Sequence, residues 1–213
     1  DGVAGYNATG QGASSFQTQV LRIDFTSGVL SSLGSGLSTG SQGMSAVSNV
    51  ATAAYVSLGD ASNTYVTTVD KYTLPSESRS TLGTGLSSTR SYGSSYSNSG
   101  TAGYIFGGFS WSGGSYTYYA TIDKFLYSND SRSTLGASLG SDSKYSPGGM
   151  ANSGTAGYSL GGGSTIGNRT DDVQKLTFSS DSIATLGTGL SAAAYYSAAM
   201  ANSGVAGYDA LSQ

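Results

Sequence analysis

The stretch Asn98-Ser99-Gly100-Thr101-Ala102-Gly103-Tyr104-Ile105-Phe106-Gly107-Gly108 decides how this chain is read. It opens on a turn signal, because Asn-Ser-Gly tolerates the positive φ of a tight hairpin, and runs into a short apolar and aromatic segment closed by a glycine pair. The words Asn-Ser-Gly-Thr-Ala-Gly-Tyr recur at 152–158, with a looser copy at 202–208. Around them Tyr6, Tyr55, Tyr104, Tyr158 and Tyr208 are spaced by 49, 49, 54 and 50 residues. A second mark keeps the same register: Val20 to Leu33, Val69 to Leu82, Ile122 to Leu135 and Val173 to Leu186 are each 13 apart. Two independent marks in one register define an internal repeat of about 50 residues.

Within a period, four short β segments bounded by Gly, Ser or Asn are expected, labelled A to D. Segment A is rich in small residues and ends at the Asn-Ser-Gly turn, as in Tyr145 to Ala151 and Tyr195 to Ala201. Segment B is Thr101 to Gly108 and its counterparts, with a closing glycine at Gly10, Gly59, Gly108 and Gly162. Segment C alternates in Ile122-Asp123-Lys124-Phe125-Leu126-Tyr127, and segment D is short and ends in Leu-Gly, as in Ser133-Thr134-Leu135-Gly136. Short antiparallel strands at this period predict an all-β fold, a β-propeller of four-stranded blades with about four repeats and a partial fifth. A β-solenoid is the rival, although its rungs repeat at a shorter period. The expected organisation is a single repeat domain over 1–213, with repeats at 1–49, 50–99, 100–153 and 154–203 and a partial repeat at 204–213. The segments read BCD, ABCD, ABCD, ABCD, AB. The last segment A therefore either completes the first blade or belongs to a longer array or a ring shared with other chains.

These residues resemble the kelch repeat, whose blades carry an aromatic and aliphatic strand ending in Gly-Gly, then a strand with Tyr, then a Trp. Tyr104-Ile105-Phe106-Gly107-Gly108 and Tyr158-Ser159-Leu160-Gly161-Gly162 carry the first feature. The later aromatic maps onto Phe25, Tyr127 and Phe178, with Leu74 in the second repeat, while the Trp position holds Leu33, Leu82, Leu135 and Leu186. The resemblance implies kelch-like architecture with lighter packing between blades, and no particular function. The wording Thr-Leu-Gly-Thr-Gly-Leu at 81–86 and 185–190 is similar to kelch-like arrays of tailed-phage structural and fibre proteins. That similarity implies a virion or extracellular surface, with other structural proteins of a particle or filament as partners. A looser similarity to the sialidase Asp-box, in Ser128 to Leu135 and Ser179 to Leu186, implies a turn between outer strands.

Composition narrows the function. Only 10% of the 213 residues are charged, and 33 Gly, 42 Ser and 22 Thr account for 97 of them. Such bias suits disorder, but 37% hydrophobic residues, including Tyr at 16 positions, supply apolar area that offsets ordering entropy. With neither His nor Cys, the chain has no Ser-His-Asp or Cys-His catalysis, no imidazole or thiolate metal site, no copper centre of the galactose-oxidase type and no disulfide. A net charge of −3 without a basic cluster gives no footprint for a phosphate backbone, so nucleic acid is not an expected partner. No apolar run approaches the roughly 18 residues of a membrane span and no signal peptide is visible, so no membrane contact is expected. The sequence begins at Asp1 and not at Met, as expected of a processed, trimmed or partial record.

Ligands of propellers meet the loops of one face or the central channel, which directs attention to the variable connections between B and C. In the third repeat this connection is Phe109-Ser110-Trp111-Ser112-Gly113-Gly114-Ser115-Tyr116-Thr117-Tyr118-Tyr119, with the only Trp. Trp111, Tyr116 and Tyr118 are candidate ligand-binding residues, able to stack on sugar rings or form an adhesive patch. The plainer reading is that alternate tyrosines extend segment C and pack in the blade. Asp171 and Asp172 are the second candidate, a carboxylate pair for Ca²⁺ or for acid and base roles on a glycan, against the plainer reading of a solvated turn. Lys71, Lys124 and Lys175, with Arg22, share one position of segment C. They form either a face for an anionic partner or, more plainly, a solvent-facing row or pairs with acids such as Asp70 and Asp123 on neighbouring blades. No catalytic residue, metal or cofactor is expected. The function expected first is a non-enzymatic structural or adhesive module of a phage virion or other extracellular assembly, acting through protein or cell-surface glycan contacts and compatible with a homo-oligomer. A carbohydrate-binding or glycan-processing propeller is the second expectation, and an intracellular kelch-type adaptor the third.

Overall fold

The computed structural model describes residues 4–13, 15–141, 145–202 and 204–210, and among them all regular structure is β-strand. Repeat 1 contributes β1 (Ala4–Ala8), β2 (Val20–Asp24) and β3 (Leu30–Ser32), followed by β4 (Ser41–Gln42) in the connection to repeat 2. Counted here from segment A, so that each repeat starts a few residues earlier than the bounds given above, repeat 2 contributes β5 (Ser45–Asn49), β6 (Ala53–Ser57), the small hairpin β7 (Asp60–Ala61) and β8 (Thr64–Tyr65), then β9 (Val69–Thr73) and β10 (Ser78–Thr81). Repeat 3 keeps the order with β11 (Ser94–Asn98), β12 (Ala102–Phe106), the hairpin β13 (Phe109–Ser112) and β14 (Ser115–Tyr118), β15 (Ile122–Leu126) and β16 (Arg132–Thr134). Repeat 4 has β17 (Gly148–Asn152), β18 (Ala156–Leu160), β19 (Gly163–Thr165), β20 (Asn168–Arg169), β21 (Val173–Thr177) and β22 (Ser182–Thr185), and β23 (Ala198–Asn202) and β24 (Ala206–Ala210) follow.

Repeats 2, 3 and 4 each form a four-stranded antiparallel sheet in which segments A, B, C and D lie in chain order: β5-β6-β9-β10, β11-β12-β15-β16 and β17-β18-β21-β22. Repeat 1 forms the three-stranded sheet β1-β2-β3, and β23 pairs with β24 alone. The strands around Tyr6 and Tyr208 therefore belong to different sheets. Segment A is shorter than expected, because Tyr145 and Tyr195 precede β17 and β23 and do not open them. The reason is backbone geometry: Ser146 and Tyr196 have φ of 45° and 56°, a left-handed kink through which no extended strand runs.

The small residues of segment A let β5, β11, β17 and β23 lie side by side in succession. Ser95 Oγ donates to the carbonyl of Ala46 at 2.7 Å, and the amide of Ser48 donates to Ser97 Oγ at 3.0 Å. The glycine of Ala-Gly-Tyr serves the same approach. A Cβ on Gly157 would stand 2.3 Å from the Tyr96 ring, and one on Gly103 the same distance from Val47, each on the preceding repeat.

The core lies between successive sheets. Val20, Leu37, Val56, Leu58 and Tyr72 join repeats 1 and 2; Val47, Tyr55, Ile105, Phe125 and Tyr127 join 2 and 3; Tyr96, Tyr104, Phe106, Leu176 and Phe178 join 3 and 4. A polar grip recurs at each junction. Tyr55 and Lys71, cross-strand partners on β6 and β9, both reach Asp130 in the turn between β15 and β16 of the next repeat, each at 2.7 Å. The Tyr55 ring stacks on Tyr127 of that repeat at 5.4 Å and 23°. Tyr104 and Lys124 do the same to Asp181, at 3.2 and 2.7 Å, with Tyr104 stacked on Phe178 at 5.1 Å and 16°. At the first junction Tyr6 and Arg22 hold Glu77 at 2.9 and 3.1 Å. Arg22, Lys71 and Lys124 thus pair with acids of the neighbouring repeat, as one of the expectations had it, but the acids named there, Asp70 and Asp123, are corrected to Glu77, Asp130 and Asp181. Alternation along the strand is the cause: Lys71 and Lys124 share a face with the tyrosines opposite them, whereas Asp70 and Asp123 point to the other face.

Asp70 and Asp123 are fully buried and tie down the connection that enters their repeat, accepting the amides of Ser38 and Ser87 at 2.7 and 2.8 Å. Gln174 accepts Gly140 in the same way at 3.0 Å. Asp123 also binds the buried Arg90 at 2.7 Å. Burial lowers the Arg90 pKa below the ordinary guanidinium value, and the charge of Asp123 opposes that shift. Asp123→Ala leaves this cation buried without its carboxylate, and a loss of about 3–5 kcal/mol is expected. Urea unfolding followed by circular dichroism measures it, and a loss below about 1 kcal/mol, as for an exposed pair, contradicts this account of the pair.

Candidate functional site

The connections between B and C fold back as the hairpins β7-β8, β13-β14 and β19-β20, and the D-to-A connection of the preceding repeat lies beside each. β4 pairs with β7, Ser91 bridges to Phe109, and Tyr145 bridges to Gly163. Side chains from several repeats thus meet on one rim. On β13-β14, Trp111 stands opposite Tyr116 and Phe109 opposite Tyr118.

Phe109 is the centre of the cluster and is only 6% exposed. The Tyr92 ring stacks on it at 5.4 Å and 6°, and Tyr116 and Tyr145 meet it at 5.4 and 5.3 Å. Tyr145 continues the network to Tyr195 and Tyr196, with a hydrogen bond between the Tyr145 and Tyr196 hydroxyls. The Arg169 guanidinium lies 4.6 Å from the centroid of Tyr195, within cation–π range. Tyr118 accepts the amide of Ile166 at 3.1 Å, which joins the hairpins of repeats 3 and 4. Trp111, Tyr116 and Tyr196 remain 49%, 47% and 49% exposed, so the cluster presents open ring surface above a packed base.

Beside the rings is a depression of about 280 Å³ with Gly43, Tyr92, Ser146, Pro147 and Tyr196 in its wall. Gly43, Tyr92, Ser146 and Tyr196 occupy one position of successive repeats, and all have positive φ, at 61°, 54°, 45° and 56°. A tyrosine rarely adopts that conformation, and here the turn aims the ring towards its neighbours. Burial pushes up the pKa of Tyr145, with the Tyr196 hydrogen bond adding to it, and burial likewise raises Tyr92 and Tyr65. These phenols are neutral at neutral pH, so the site offers hydroxyl donors and acceptors, flat ring faces and one guanidinium.

The structure places Trp111, Tyr116 and Tyr118, expected in a connection between segments B and C, on the one hairpin β13-β14. Asp171 and Asp172 lie between β20 and β21, and no described hydrogen bond, ion pair or ring contact joins them to those rings. The Asp171 carbonyl accepts the amide of Leu190, and its carboxylate packs against Gly189. No group of three or more Asp or Glu placed to hold a metal occurs among the described residues. Sequence reading missed Tyr92, Tyr145, Tyr195, Tyr196 and Arg169 as members of this face. Their only signal is position, since Tyr145 and Tyr195 occupy equivalent places just ahead of β17 and β23.

No protein-family model and no curated protein sequence matches the chain. Among solved structures, that of YjhT superposes with a TM-score of 0.73 at 16% identity, over 93% of this chain and 67% of that one. The likeness is one of fold, a succession of small antiparallel sheets.

Base and surface of the cluster differ in what they contribute to folding. Phe109→Ala is expected to lose about 3–5 kcal/mol, as a buried aromatic truncation does, and Trp111→Ala to stay within about 0.5 kcal/mol, as at an exposed position. Thermal denaturation of both variants checks the contrast, and a large loss at Trp111 would place it in the core instead of on the exposed surface.

Proposed function

We propose that this chain is a kelch-like β-propeller module that adheres to a protein or glycan partner through its aromatic face, without catalysis, as part of a virion or other extracellular assembly. The propeller reading is supported by the four A strands lying side by side and by the depression that residues entering four successive A strands share. One observation carries the adhesive reading: Tyr116 and Tyr196 are half exposed, yet held by a packed base of rings from several repeats, and the half-exposed Trp111 stands opposite Tyr116 on the same hairpin. Rigid aromatic surface loses little conformational freedom on contact, which suits it to recognition of flat partners. The low charge and the resemblance to phage arrays support an extracellular setting.

Glycan is a second, narrower reading of the same face. It is favoured by the separation of Trp111 and Tyr116 from the charged Asp171 and Asp172, which leaves ring stacking flanked by hydroxyls and Arg169. Trp111 is the only tryptophan and so reports on its own contacts. Titration with glycan panels and with surface proteins of candidate particles is expected to shift Trp111 emission for the true ligand, and Tyr116→Ala to weaken that binding by about 10-fold or more. Binding unchanged in Trp111→Ala and Tyr116→Ala chains would refute the aromatic face as the contact.

A further inference from the structure

The grip between repeats is directional, and it is left open at one end. Each repeat offers a tyrosine and a cation from segments B and C to a carboxylate of the repeat that follows: Tyr6 and Arg22 to Glu77, Tyr55 and Lys71 to Asp130, Tyr104 and Lys124 to Asp181. Repeat 4 carries the same donors. Tyr158 and Lys175 face each other across β18 and β21 in the register that pairs Tyr104 with Lys124. Neither side chain has a hydrogen-bond, ion-pair or ring partner among the described residues. Tyr158 lines a cleft of about 300 Å³ between β17-β18 and the two-stranded sheet β23-β24.

We propose that this face takes a β-hairpin of a further repeat of the same kind, whose turn presents Asp or Glu at the left-handed position to Tyr158 and Lys175. The geometry of the three closed junctions defines the occupant closely. The three acids that receive the grip all sit at positive φ, with Glu77, Asp130 and Asp181 at 56°, 60° and 50°, so the turn must lift a carboxylate off the hairpin. The residue one before the turn must give a flat or apolar surface for Tyr158, as Tyr127 and Phe178 do for Tyr55 and Tyr104. Pairing to the free edge of β24 completes the fifth sheet in the order shown by the other three.

A second copy of this chain does not meet that description. Its first repeat has Gly28 at the left-handed position, with φ of 69°, and so offers no carboxylate. It also has Leu21 where repeats 2 and 3 carry the buried Asp70 and Asp123 that tie down an incoming connection. The acids of its other repeats are already engaged within the copy. Repeat 1 therefore lacks both receiving groups, while repeat 4 displays both donors.

The test extends the full chain. A copy of Gly161 to Leu190 is joined after Ala210, once with the aspartate that copies Asp181 and once with asparagine there. The aspartate graft is expected to melt about 0.5–4 °C above the asparagine graft, the shift a pair of this exposure gives in a chain of this size. Lys175→Met in the original repeat is expected to erase the difference. Equal melting of the two grafts, each with the added strands formed, would overturn the proposal. Should the graft remain unpaired, a cyclised peptide of Asp172 to Leu186 is titrated into the full chain by NMR. Shifts of Tyr158 and Lys175 resonances with the aspartate peptide but not its asparagine form support the proposal, and unmoved or equal shifts overturn it. A head-to-tail dimer of the unextended chain that covers Tyr158 would also overturn it, since that occupant lacks the carboxylate.

Discussion

One interaction governs the rest of this structure: a tyrosine that stacks on the next repeat while its hydroxyl, together with a lysine or arginine, holds that repeat's turn carboxylate. A four-stranded sheet of five-residue strands exposes two faces and cannot bury either alone, so its stability depends on neighbours. Aliphatic and aromatic side chains together supply the apolar burial at each junction, with ring stacking at the second and third, and the carboxylate fixes the register at which the sheets meet. Each partly exposed ion pair contributes modestly, at about 0.2–1 kcal/mol. Its larger effect is geometric, because a phenol and an ammonium converging on one carboxylate admit a single relative placement of two sheets.

The grip also frees the opposite rim. With the core held between sheets, the hairpins β7-β8, β13-β14 and β19-β20 lie outside that core, and they vary in length and residue type. That freedom gathers Trp111, Tyr116 and the tyrosines ahead of the A strands on one face. Phe109 gives this face a rigid base, so the exposed rings are ordered without being buried. The chain thus separates a repeated scaffold from a non-repeated surface, as expected where variation carries recognition.

Much of the scaffold was legible in the sequence because it is written in local terms. The Asn-Ser-Gly turns, the tyrosine marks and the alternation of Ile122 to Leu126 give strand order and sheet membership within each repeat. The grip was not legible. Its partners lie 71, 75 and 77 residues apart, about one and a half repeats, and the acid hides in a turn whose Asp-box likeness already explained it. The lysine row was seen but given the wrong acids, since strand alternation places Asp70 and Asp123 on the face away from Lys71 and Lys124. At the aromatic face Trp111, Tyr116 and Tyr118 stood out as a cluster in one connection. Tyr92 and Tyr196 did not, because a tyrosine in left-handed backbone has no sequence signature and owes its place to tertiary packing.

The most direct test of the grip is a double-mutant cycle at the third junction, combining Lys124→Met with Asp181→Asn and measuring unfolding free energies in urea. Because this pair spans two repeats and shares its carboxylate with Tyr104, the two changes are expected to couple by about 0.5–1 kcal/mol. Losses that add to within about 0.3 kcal/mol would contradict the account, for the two residues would then act independently and the junction would rest on apolar packing alone.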